Sequence, residues 1–237
     1  VVETHVGSAG DVHCTNAVTD IRLAEDARLK HFKLEDEPDT ASHLALTEVH
    51  QQRGSNFASY LSMLGGRIAR QEVRVHLVGE GAEVSLDGLY VPRGDQVHDN
   101  TIFIEHVAPG CSSHQLYKSA LSGRSRGIFN GHVLVRPGAD GTDAHQTNKN
   151  LVLADRAEAD TRPRLEIYAD DVKCTHGAAV GQLDQQAVLY LRSRGIGERE
   201  ARHLLVDAFV GEMVERIELV PLREQVRELL AERSFDE

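Results

Sequence analysis

A chain of 237 residues with 41% hydrophobic positions can bury a core of its own, as one domain or two, without covalent staples. Its 37 acidic against 26 basic side chains leave a formal charge of −11 spread along the chain, which repels phosphate backbones and anionic lipid and argues against nucleic acid or a membrane as partner. No stretch reaches the roughly 20 apolar residues a membrane span needs, and Val1-Val2-Glu3-Thr4-His5 lacks the basic-then-apolar pattern of a leader. A start without Met suggests a fragment or processed chain. Cys14, Cys111 and Cys174 are too few and too scattered for a disulfide framework, so a reducing cytoplasm is the expected compartment.

The first part of the chain reads as short alternating runs closed by Gly, Pro or Asp. Glu72 to Val78 alternates and stops at Gly79; Glu83 to Asp87 alternates before Gly88. The pattern returns at Thr101 to Glu105, Gln115 to Lys118 and Ile128 to Val135, with Pro109-Gly110, Gly123 and Pro137-Gly138 as punctuation. These are strands and turns at spacings of about ten to thirteen residues. Such spacing suits a β-sandwich or a β-helix, and periodicity does not separate the two. The uniformity of the runs and the absence of Trp favour the β-helix, with polar residues expected on its outward positions.

Near Gln182 the period changes from two to 3.6. Gln185 to Arg194 reads as a short helix, with Asp184 as N-cap and Gly195 as the stop. From Glu198 a longer helix places Ala201, Leu204, Leu205, Ala208, Phe209, Met213 and Ile217 on one stripe. A last helix carries Pro221 in its first turn and Leu222, Val226, Leu229 and Leu230 on one side. The expected division is a β core over residues 1–182 and a helical domain over 183–237.

One run is more specific than alternation. Leu165 to Ala178, which contains Asp170-Asp171-Val172-Lys173-Cys174-Thr175-His176-Gly177, precedes Gly181-Gln182-Leu183-Asp184 and Tyr190 to Ile196. Together with Gly127 to Gly131 and Thr142 to Leu151, it resembles the C-terminal signature of the SufB and SufD proteins of iron-sulfur cluster assembly. The form from Lys173 to Gly177 looks like that of the SufD branch. The resemblance implies a right-handed parallel β-helix flanked by helices, without catalytic activity of its own. It also implies pairing with a SufB-like subunit through the β-helices and docking of a SufC-like ATPase on the C-terminal helices. No cofactor would be held stably by the chain alone; a transient iron-sulfur cluster would be shared with the SufB-like partner.

Cys174 and His176, two apart in a strand, point to the same side about 7 Å apart at the backbone, and thiolate with imidazole suits iron-sulfur chemistry. The bland alternative is a small buried thiol and a turn histidine. The resemblance makes His176 the foremost metal-site candidate, with Cys174 beside it. Two ligands do not hold a cluster, so the rest are expected from a second chain. The SufC-docking surface implied by the resemblance includes Arg192, Arg194, Glu198 and Arg202. Unpaired strands leave self-pairing into a homodimer open to an isolated chain, and the sequence does not decide it.

Other candidates carry less. Cys14 and Cys111 read as structural. His76, His98, His106, His114 and His132 read as a solvated strand face, and Asp170-Asp171 as turn formers. Gly79 and Gly81 make no dinucleotide fingerprint, and no Walker loop is present. The rival from another class is a solenoid enzyme acting on carbohydrate or small acids through Asp140, Asp143 and Glu166. With aromatics at only 5%, it lacks the stacking platforms that sugars require.

Overall fold

The computed structural model describes residues 1–8, 10 and 12–233. Within them the chain forms β1 (Val2–Val6), β2 (Cys14–Leu23), β3 (Arg28–Asp36), β4 (Ser42–Gln51), β5 (Asn56–Met63), β6 (Ile68–Leu77) and β7 (Glu83–Tyr90). It continues through β8 (Val97–His106), β9 (Ser112–Leu121), β10 (Arg126–Val135), β11 (Asp143–Val152), β12 (Glu158–Ile167) and β13 (Lys173–Gly181). Helices α1 (Gln185–Ser193), α2 (Glu198–Glu215) and α3 (Val220–Ala231) follow.

Every strand pairs in parallel with the strand two places on. The odd strands form a seven-stranded sheet in the order β1-β3-β5-β7-β9-β11-β13, and the even strands a six-stranded sheet, so the chain coils as a parallel β-solenoid of about six turns. Ser42 pairs with Ile68 and Arg126 with Glu158, so one turn takes between 26 and 32 residues. Strands of eight to ten residues are longer than the alternating runs, because their ends carry Gly, Ala and polar residues that pattern alone reads as loop.

The core lies between the sheets. Val49, Phe57, Val75, Leu86, Ile104, Phe129 and Val133 stack there from turn to turn, each withdrawn from water. The turns stack as well. Asp26, Gly54, Gly81, Gly110, Gly141 and Asp171 all adopt positive φ, and the amide of each from Asp26 to Gly141 donates to a carbonyl of the following turn. Glycine reaches that conformation without strain, and Asp tolerates it better than most residues.

The interior is not purely apolar, which corrects the expectation that polar residues lie outside. Gln71, Gln115, Gln146, Asn148 and Asn150 are buried. His98 and His106 are fully buried too, not on a solvated face; His106 Nε2 meets the Ser113 hydroxyl at 2.9 Å. His76 and His132 are half-buried and His114 exposed, as a strand face would have them.

The change from strand to helix falls between Gly181 and Gln185. Asp184 caps α1 by accepting from the Gln186 amide at 2.8 Å, and Gly195 follows the helix at φ +90°. Helix α2 lies across β7 and β9 of the odd-stranded sheet, joined to it by Lys118 Nζ donating to the Phe209 carbonyl at 3.3 Å and by Arg216 to Asp87 at 2.8 Å. Its buried side is Ala201, Val206, Val210, Met213 and Val214, continued by Ile217 just past its end, while Leu204 is 45% exposed. The predicted stripe is thus rotated. Apolar residues stand on more than one side of α2, and the sheet selects the side through the valines. Among the described residues no helix is long and apolar enough to cross a membrane.

Candidate functional site

The last turn places the predicted site at an open end. β13 pairs with β11 and β12 with β10, and in the sheet order each ends its sheet. Their outer backbone donors and acceptors therefore face away from the coil, the condition in which a strand accepts another strand. Ile167, Tyr168 and Val180 are exposed there.

Register determines what the Cys-His pair faces. Cys174 lies opposite Ala144 and His176 opposite Gln146, and both of those β11 residues are buried. Cys174 and His176 thus continue two inward-facing columns into a turn that nothing covers. Cys174 is half-buried against the apolar core. Burial pushes its thiol up, and the charge of Asp143 adds to the effect. His176 is exposed, and among the described residues its ring has neither a hydrogen bond nor an ion pair. Above it, Gln146 donates to Gln115 Oε1 at 3.2 Å while its own Oε1 has no partner. Thr175 between the two ligand candidates faces outward and meets His145 Nδ1 at 2.6 Å.

The polar run Thr142 to Leu151 supports this turn from within. Asn150 donates to Asn148 Oδ1 at 2.6 Å and to the Ala179 carbonyl of β13 at 3.2 Å. The Tyr90 and Ser119 hydroxyls both donate to Asn150 Oδ1 at 2.7 Å. A buried amide with its polar atoms bonded this way holds β13 in register. Gly131 makes room for the network's neighbour, since a Cβ there would stand 1.9 Å from Gln146 Nε2.

The proposed docking residues lie on the helical unit. Arg192 pairs with Glu198 at 3.0 Å, Arg194 sits over the Tyr190 ring, and Arg202 has an interaction of its own. The acids of the rival enzyme reading are apart. Asp140 accepts from the Asp170 amide in a turn, Asp143 lies on the odd-stranded sheet beside His145, and Glu166 lies on the even-stranded sheet beside His132. Asp171 takes positive φ, consistent with a turn role. Cys111 is buried and Cys14 exposed. Sequence reading missed a second histidine and carboxylate cluster, at the first turns, made by His5, Glu37 and His43. No short motif marks it, because its members come from β1, the connection after β3, and β4.

A two-sheet parallel coil, open at a Cys-x-His strand and followed by packed helices, is the architecture expected from the signature in β13. A family model described as SUF system FeS cluster assembly, SufBD core domain, matches residues 1–209, and the chain belongs to that family. Within it the chain is SufD-like. It is 36% identical over 233 residues to the iron-sulfur cluster assembly protein SufD of Escherichia coli, covering 98% of this chain and 55% of that protein. An iron-sulfur cluster assembly SufBD family protein of Synechocystis is 36% identical over 222 residues, 93% of this chain and 49% of that one. SufD of Bacillus subtilis is 29% identical over 174 residues, 73% and 40% of the respective chains. The chain thus spans about half the length of the curated relatives it matches.

Proposed function

We propose that the chain is the core of a non-enzymatic scaffold subunit in iron-sulfur cluster assembly, working in a reducing compartment. Its open end pairs with a SufB-like subunit, and His176, with Cys174 beside it, lends ligands to a transient cluster that the partner completes. The helical unit docks a SufC-like ATPase. One observation carries the reading: an exposed imidazole, without a partner among the described residues, stands next to a half-buried thiol on the last strand, whose outer edge is open. An imidazole left free at a strand edge is placed to meet whatever pairs with that edge. Two donors fall short of the four that a cluster takes, so a second chain must supply the remainder. Exposed Leu189, Tyr190 and Leu204 on α1 and α2 support the docking role.

The test is co-purification with SufB-like and SufC-like subunits, for this chain and for one truncated before Leu183. Loss of the SufC-like subunit with retention of the SufB-like one is the expected result; capture of neither by the full chain overturns the scaffold reading.

A further inference from the structure

The far end of the coil holds a second donor set. His5 lies on β1, Glu37 in the connection after β3, and His43 on β4; one nitrogen of each imidazole and one Glu37 oxygen lie within 4.8 Å of one another. β1 and β13 are opposite edges of the seven-stranded sheet, so strand spacing puts this cluster ~29 Å from Cys174 and His176. We propose that His5, Glu37 and His43 bind a divalent first-row transition ion, with His13 as a further donor on the rim.

Two imidazoles and a carboxylate form a donor set that suits such ions, at bond lengths of about 2.0–2.2 Å. Donors around one ion at that length stand roughly 3–4 Å apart, so a set already within 4.8 Å closes by small rotations. A second, independent observation points to a ligand. The His43 side chain is fully buried, its Nδ1 is 3.0 Å from Glu37 Oε2, and its Nε2 has no partner among the described residues. A ring turned over exchanges the two nitrogens and still leaves one unmatched. His98 and His106 also carry unmatched buried nitrogens, but of the three only His43 stands in a set of three donor residues, where an imidazole lone pair facing no donor is open to a cation.

The surrounding charges permit a cation. Lys33 is buried nearby, but its ammonium is answered at 3.1 Å by Glu3, which also binds His5 at 2.6 Å and His31 at 3.1 Å. Arg93 and Arg233 pair with Asp39 and Asp36. Among the described residues the Glu37 carboxylate has neutral or titratable partners: the Thr15 hydroxyl, His43, and His13 Nε2 at 3.2 Å. The other compact cluster, Glu48, His50 and His76, differs. Both His76 nitrogens are engaged there, at 2.8 Å to Glu48 and 2.7 Å to Glu105, so it is complete as a solvated ion-pair network.

The ion would tie β1 to the β3–β4 connection, independently of the cluster chemistry at β13. The test is titration of the chelator-stripped 237-residue chain with Zn(II) by calorimetry and with Co(II) by visible absorption, in a Cys174→Ser, His176→Ala background that removes the candidate ligands on β13. One saturable equivalent is expected, weakened at least tenfold by His5→Gln and by His43→Gln. His5 is only half-buried, so His5→Gln decides the matter should His43→Gln disturb folding. The absence of saturable binding overturns the proposal. So does an affinity that His5→Gln leaves unchanged, or one that His76→Gln abolishes.

Discussion

At the first turns of the coil the imidazoles are withdrawn from water and held by carboxylates, His31 against Glu3 and His43 against Glu37. At the last turns His145 is half-buried beside Asp143, and His176 stands in solvent with no partner among the described residues. The same side chain, on the same kind of strand, is structural where elements pack over it and free where the coil stops. Stability should therefore be sensitive to changes at the first end and nearly indifferent to ligand changes at the second.

Acidification tests that contrast most strongly. Burial pushes His43 down to about 4, His98 to about 3 and His106 to about 4, so each is neutral in the folded protein near neutral pH. An unfolded chain protonates its histidines near 6.5, so between that value and the folded ones it binds more protons, and stability falls as pH falls. Each group should cost on the order of 1–2 kcal/mol by pH 5. The hydrogen bond from His31 holds Glu3 far below the usual carboxylate range, and bonds from Thr15 and His13 lower Glu37 despite its burial. Their contributions persist above about pH 4.3 and disappear only as pH falls through the folded values. Lowering the pH from 7 to 5 should reduce hydrogen-exchange protection more in β4 and β8 than in β11; an equal loss along the coil would erase the contrast.

A smaller effect is expected from Glu37→Ala. The change leaves the buried His43 Nδ1, the Thr15 hydroxyl and His13 Nε2 without their carboxylate partner, at a cost of about 2–3 kcal/mol in urea unfolding. A loss below about 0.5 kcal/mol would mean that Glu37 carries no structural weight. The smallest effect belongs to His176→Ala, which should leave stability within about 0.5 kcal/mol because the side chain has nothing to lose. Cluster formation with a SufB-like partner should nonetheless fall; wild-type yield would return His176 to a bystander.

Much of this was legible before any coordinates. Alternation along Glu72 to Val78 and Ile128 to Val135 announced strands, and Asp184 with Gly195 bounded α1 correctly, because caps and turns are local events. The family signature located β13 and its two ligand candidates. His98 and His106 depart from the expected solvated face for a physical reason. Alternation tells which residues share a side of a strand, not which side is inside, and an interior that admits Gln, Asn and His removes the contrast in polarity that would decide it. The left-handed turn residues from Asp26 to Asp171 recur once per coil and would have announced the repeat; their spacing varies with the turns between them, which hides it from a short window.

The sequence by itself determined the kind of element at each position, since period, caps and turn residues act over a few neighbours. Only the tertiary structure decided which histidines are buried, which side of α2 meets the sheet and which residues from distant turns converge. Those outcomes depend on the stacking of one turn on the next, an interaction between positions roughly 30 residues apart that no local pattern records. His5, Glu37 and His43 converge because β1 pairs with β3 and because Glu37 and His43 are buried, whereas His176 stands exposed on β13, where the coil stops.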